Sequence, residues 1–351
     1  MPETTDTPVH THLTFYIPGL FDPLKSGDAH DGPWRALETL LSRADIVDRG
    51  FPQGYEEGLF ALYGLVRQEN SDLPVAAVTR MIDMGVIDND WWLRADPVHL
   101  SLDRDRLILA DARKLDVTPD EASRLVAEIM EVFTADGWLL KAPHPERWYL
   151  KTGRSPNMTT SSMSKVVGRD VHGFLPRGPD DKAWHTILNE IQILLHTATV
   201  NVERENAGKL PINSLWFWGS GRLPRIKPVA WTQVWSNEPV SLSLAKLSST
   251  PVDNLPDDYD GWRQRAEKTG EHLLVLDEAH PAALYNDLTQ WQEILRRLES
   301  AWMAPLLHDL KSGAIQRVTL MTDAGVNFTL TSRQACRWWR RRHSLSSHRQ
   351  V

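Results

Sequence analysis

Short runs of apolar residues recur along this chain, and longer stretches of helical periodicity separate them. Residues 12–17 (His-Leu-Thr-Phe-Tyr-Ile), 106–110, 214–218, 272–276 (His-Leu-Leu-Val-Leu) and 317–321 each read as a short strand. Pro18-Gly19 stops the first of them. Helices are predicted over 33–44, 58–66, 73–84 and 181–196, and over 287–310 with a kink or break at Pro305. Another begins at Thr118-Pro119-Asp120-Glu121, where Thr118 and Glu121 have the spacing of a capping box. Residues 138–142 and 147–151 read as a strand pair, and 326–331 as a hairpin partner of 317–321. Residues 239–247 suit strand or helix equally. Short strands alternating with helices specify an α/β protein.

At 351 residues the chain predicts two domains, or one large domain with an insertion. The single Cys336 excludes a disulfide framework and a multi-cysteine zinc site. No apolar run approaches the 18 residues of a membrane span. The acidic start, Met-Pro-Glu-Thr-Thr-Asp, lacks the order of a signal peptide, so a cytoplasmic location is expected. A net charge of -7 argues against a general nucleic-acid binder. Six arginines in residues 333–351, around Trp338-Trp339, read as a solvated basic tail. The 15 tryptophans imply either aromatic packing or surfaces that hold a ligand.

Polar residues are densest over 189–221. There Arg204 and Lys209 are candidates to hold a phosphate or carboxylate, with Asn201 and Asn213 to orient it. A turn at 143–147 presents His144 and Arg147 as a second candidate. Arg94 and His99, within 91–100, suit a pocket wall. Each of these equally suits an internal ion pair.

The chain resembles the archaeal-type cofactor-independent phosphoglycerate mutases of the alkaline phosphatase superfamily. Within them it resembles a bacterial branch of mutase-like regulatory proteins of RpfE type. The resemblance runs through the helix at Glu121-Ala122, Arg147-Trp148-Tyr149-Leu150 and Gly168…Leu175-Pro176. It continues through Asn201…Arg204…Gly208-Lys209…Asn213 to Trp216-Phe217-Trp218-Gly219…Gly221. It implies an alkaline phosphatase-like α/β core sheet with flanking helices, residues 1–110 and 212–351, and a smaller inserted α+β domain, 111–211. It also implies two divalent metals and a Ser or Thr nucleophile that carries the phosphoryl group.

Against that pattern, the metal-bearing Asp-Gly is Pro18-Gly19 here, with Asp22 further on. The nucleophile segment, about 29–33, holds His30, Asp31 and Gly32 but no Ser or Thr. The family's late Asp-His is Asp323-Ala324, and its other cluster falls at Asp277-Glu278-Ala279-His280 with altered spacing. The expectation is a catalytically silent or altered, regulatory relative that binds a small phosphorylated or carboxylate ligand, or a protein partner, without membrane or nucleic acid. Arg147, Asn201, Arg204, Lys209 and Asn213 are its candidate ligand contacts, and Trp148, Trp216 and Trp218 walls beside them. The alternative is an active phosphomutase or phosphatase, an isomerase or hydrolase with Mn or Zn on a rearranged set of Asp22, Asp277, His280 and Asp323.

Overall fold

A computed structural model describes residues 11–21, 32–47, 50–267 and 269–349. It is an α/β structure of two compact units. Met1–Leu65 with Ile226–Val351 form the first, and Val66–Arg225 form the second. Among the described residues no helix is long and apolar enough to cross a membrane.

The first unit is built on a seven-stranded sheet in the order Asp45–Ile46, Asn327–Thr331, Arg317–Met321, Thr11–Tyr16, Gly270–Val275, Gln233–Trp235, Val252–Asp253. The last five run parallel, and Asn327–Thr331 pairs antiparallel with Arg317–Met321 on one side and with the edge strand Asp45–Ile46 on the other. Strands of a parallel sheet are covered on both faces, so their central residues read as near-continuous apolar runs. Phe15, Tyr16, Leu273, Leu274 and Val275 are accordingly fully buried. Tyr16 pairs in register with both Val275 and Met321, which brings three strand ends to one edge.

Helices carrying Trp34, Leu37, Trp291, Leu295 and Leu306 cover that sheet. Trp34 meets Trp291 edge-on at 5.6 Å. The long helix expected over 287–310 is interrupted, though not by its proline. Leu288–Leu298 passes through a π-helical turn, Glu299–Met303, into Ala304–Ser312. Pro305 lies in the first turn of that last helix, where a missing N–H costs nothing. The ambiguous 239–247 is a helix, Pro239–Leu247.

The C-terminal arginines do not form a solvated tail. Arg337 and Arg340 pair with Asp45 at 3.3 and 3.2 Å, and Arg342 with Glu38 at 3.3 Å. Leu345 and His348 are buried behind them. Trp338 and Trp339, the two tryptophans of this segment, are 82% and 63% exposed.

The second unit interrupts the first in sequence and takes in 66–110 and 212–225 beyond the span of 111–211. The reason is strand Trp92–Asp103. It pairs antiparallel with Ser214–Gly221, Arg147–Lys151 and Arg106–Ala110, and so belongs to this sheet. Leu139–His144 completes it beside Arg147–Lys151. Helix Pro119–Phe133 starts with the expected capping box: Glu121 N–H donates to Thr118 Oγ1 at 3.2 Å and Thr118 N–H to the Glu121 carboxylate at 2.8 Å. In its core Trp138 stacks on Phe133 at 4.6 Å and on Trp184 at 5.9 Å.

Candidate functional site

In open α/β sheets, ligands collect where loops leave the carboxyl ends of parallel strands. In the first unit, strand Thr11–Tyr16 leaves through Ile17-Pro18-Gly19. Gly19 is left-handed at φ +74°, and a Cβ there would lie 2.8 Å from His280 Cα. Glycine is therefore required on both counts. Its N–H donates to Asp323 Oδ1 at 3.0 Å, and its carbonyl accepts from Trp291 Nε1 at 2.8 Å. Asp323 follows the neighbouring strand, and its other oxygen lies 3.7 Å from His280 Nδ1. Asp277 comes from the loop after Gly270–Val275, and His280 from the helix Ala279–Leu284 that follows it. The Tyr55 ring stacks on His280 with centroids 4.1 Å apart, and its hydroxyl donates to Asp277 Oδ2 at 3.2 Å.

Glu238, beyond the next strand, is buried and accepts from Val240 N–H at 3.0 Å and Ser241 N–H at 2.6 Å, capping helix Pro239–Leu247. Burial, reinforced by the Asp277 carboxylate, pushes its carboxyl up to about 8. Burial also raises Asp277. The Tyr16 and Tyr55 hydroxyls are held well above their ordinary range, first by burial and then by the carboxylates around them. Tyr16 donates to the Tyr55 carbonyl at 2.9 Å.

Asp277, His280 and Asp323 thus converge on one edge, while Asp22, with His30 and Asp31, lies outside the described residues. The described part brings together three of the four candidate metal ligands, Asp277, His280 and Asp323. Two cations at close range need several ionised carboxylates and free imidazole nitrogens. Here Asp277 is directed at Tyr55 and Asp323 at Gly19 N–H. Among the described residues no group of three or more His, Cys, Asp or Glu is placed to hold a metal ion.

Helix Arg35–Arg43 starts directly after the segment where the resemblance puts a nucleophile. A helix N-terminus there offers unpaired N–H groups to a phosphoryl oxygen. In this chain they are taken: Glu299, from the π turn, accepts from Ala36 N–H at 2.6 Å and Leu37 N–H at 2.9 Å.

The candidate ligand contacts of the second unit have partners within the chain. Arg147 binds both oxygens of Asp83 at 2.7 Å, and Tyr149 donates to the same carboxylate. Arg204, 2% exposed, donates to the Leu210 and Leu115 carbonyls and to Glu121. Asn201 clamps Ile212 through its N–H and C=O, both at 2.8 Å. Asn213 pairs with both backbone groups of Leu100. Lys209 lies 3.7 Å from the exposed Asp116. With their polar atoms so partnered, Arg147, Asn201, Arg204 and Asn213 form no open anion cradle.

Arg94 and His99 are likewise internal. Arg94 pairs with Asp96 at 2.8 Å, and His99 Nδ1 lies 2.8 Å from the Pro211 carbonyl. Trp148 and Trp218 wall that buried pair rather than a ligand: the Trp148 backbone N–H and Trp218 Nε1 both donate to Asp96. Trp216 Nε1 donates to the Ser161 carbonyl.

Three groups went unseen in the sequence. Glu238-Pro239 carried a signal, an acceptor immediately before a helix-starting proline. Tyr55 and Glu299 carried none, because their partners lie more than 200 residues away.

No family model matches the chain. A probable 2,3-bisphosphoglycerate-independent phosphoglycerate mutase of Geobacter sulfurreducens is 24% identical over 190 residues, 53% of this chain and 47% of that protein. The corresponding mutase of Methanothrix thermoacetophila is 26% identical over 175 residues, 45% of each. This chain therefore spans about half the length of the curated relatives it matches. Among solved structures, a Pyrococcus horikoshii protein shares the fold at TM-score 0.51 and 11% identity, covering 92% of this chain and 88% of its own. A cofactor-independent phosphoglycerate mutase of Thermoplasma acidophilum aligns over 92% of this chain and 90% of its own, at TM-score 0.41 and 18% identity.

Proposed function

We propose that this chain, a divergent relative of the cofactor-independent phosphoglycerate mutases, has given up phosphoryl transfer and works as a binding or regulatory protein. The observation that carries the reading is the Glu299 carboxylate on the N-terminus of Arg35–Arg43. A fixed negative charge sits on the donors that an incoming phosphoryl group would need, so the two anions compete for one place. The collapsed Tyr55–His280–Asp323 edge supports it. The absence of any Ser or Thr hydroxyl from 29–33, where His30, Asp31 and Gly32 stand, supports it further.

The direct test is interconversion of 2- and 3-phosphoglycerate, and phosphatase activity, with Mn, Zn, Co or Mg supplied. No turnover is expected. Turnover that vanishes in Asp323→Asn or His280→Ala would restore the metal-dependent reading.

The internal carboxylate has its own signature. Glu299→Ala should cost about 1–2 kcal/mol of stability, the usual worth of a lost cap reinforced by the helix dipole. Millimolar phosphate or sulfate should then raise the melting temperature of the variant more than that of the parent. Equal shifts in both would show that the helix N-terminus is no anion site at all.

A further inference from the structure

The same sheet edge has a second side. The loop after Gly270–Val275 sends Asp277 and His280 towards Tyr55 and Asp323, but Leu276, Glu278 and Ala279 line a cavity of about 360 Å³. Ile17 and Asn237, from the ends of two neighbouring strands, line it as well. Its far wall is the helix that carries the π turn, through Ile294, Leu298, Ala301 and Trp302. That volume is in the range of small-molecule sites.

The wall has a built irregularity. A π turn adds one residue to the helix and frees carbonyls from its ladder, and such turns concentrate at functional sites. Within it Ser300 Oγ donates back to the Arg296 carbonyl at 3.0 Å and the Arg297 carbonyl at 3.3 Å. The same turn aims Glu299 at Arg35–Arg43 and puts Ala301 and Trp302 into the cavity.

The floor is apolar and the rim is charged. Arg297 and Glu278 face each other across 2.7 Å and neutralise one another. Asp257, also on the rim, has no ion pair among the described residues. The mouth thus carries one uncompensated negative charge above an apolar floor.

We propose that this cavity binds a small molecule with an apolar body and a cationic amine, the body against Leu276, Leu298 and Trp302 and the ammonium at Asp257. This site deepens the binding role proposed above and rests on it. Phosphoglycerate turnover would overturn that role and leave the cavity as it stands. Absence of amine binding would remove the cavity site and leave the role.

Titration calorimetry of the full chain with 2-phenylethylamine and with 3-phenylpropionate, its carboxylate counterpart, tests the proposal. The amine should bind saturably and about tenfold more tightly than the carboxylate, the effect of one near-surface charge contact. Asp257→Asn, an exposed substitution, should bring that ratio below about threefold. Ala301→Leu, narrowing the cavity, should weaken the amine about tenfold or more, with unchanged circular dichroism confirming the fold. No saturable amine binding to the parent, equal affinity for amine and carboxylate, or unchanged affinity in a folded Ala301→Leu protein would each overturn it.

Discussion

Asp96→Ala should be the most damaging single substitution in the second unit, lowering its stability by about 3–5 kcal/mol and its melting temperature by roughly 10 °C. Asp96 is 3% exposed and accepts from the Arg94 guanidinium, from Trp148 N–H at 3.0 Å and from Trp218 Nε1 at 2.7 Å. The Arg94 guanidinium lies over the Tyr149 and Trp218 rings at 5.3 and 5.2 Å. Removing the carboxylate leaves a buried cation, the Trp148 backbone N–H and the Trp218 indole N–H without their acceptor, and an uncompensated buried charge is the larger loss. The paired change Arg94→Met with Asp96→Asn removes both charges and keeps an acceptor, so it should recover part of the loss. Thermal melts of the two variants decide it. A single variant within about 2 °C of the parent, or a double variant worse than the single, would show that the pair does not organise this sheet.

The second large effect depends on pH. Glu238 holds its proton up to about 8 in the folded protein, whereas an unfolded glutamate loses it near 4.3. Between those values the folded state binds a proton that the unfolded state has released. The stabilisation is complete below the unfolded value and is lost as pH rises through the folded one. Each unit of separation is about 1.4 kcal/mol, so the fall from pH 4 to pH 9 is on the order of 3–5 kcal/mol. Burial is the main cause, and Asp277 and Glu56 add to it. Glu238→Gln mimics the protonated side chain. Its denaturant-unfolding free energy should vary less over this window than that of the parent, and the two proteins should differ least near pH 4 and most at pH 9. Parallel pH profiles would refute a protonated Glu238.

The strands were legible because burial on both sheet faces writes itself as an unbroken apolar run, as in His-Leu-Leu-Val-Leu at 272–276. The capping box at Thr118 was legible because its two partners are three residues apart. Asp277, His280 and Asp323 were legible as a group because each follows such a strand. What the residues did not reveal is which charges find each other. Arg147 and Arg204 look the same in sequence whether they face solvent or a carboxylate, and Asp83 and Glu121 lie 64 and 83 residues away. The arginine-rich end reads as solvated until Asp45 and Glu38, some 300 residues earlier, are folded against it. The π turn at Glu-Ser-Ala-Trp-Met has no composition of its own, so attention went to Pro305 instead.

The place of strand Thr11–Tyr16 sets an order of events during synthesis. Both its neighbours, Gly270–Val275 and Arg317–Met321, leave the ribosome more than 250 residues after it. Val66–Arg225 finds its sheet partners within its own span and can close while the first strand still waits. For most of translation, then, a largely apolar six-residue strand stands with two open edges, the kind of segment that pairs with the wrong neighbour. Until residues 270–275 and 317–321 emerge, the first unit cannot close its sheet, and protection of that one strand from wrong pairing is part of the cost of this strand order.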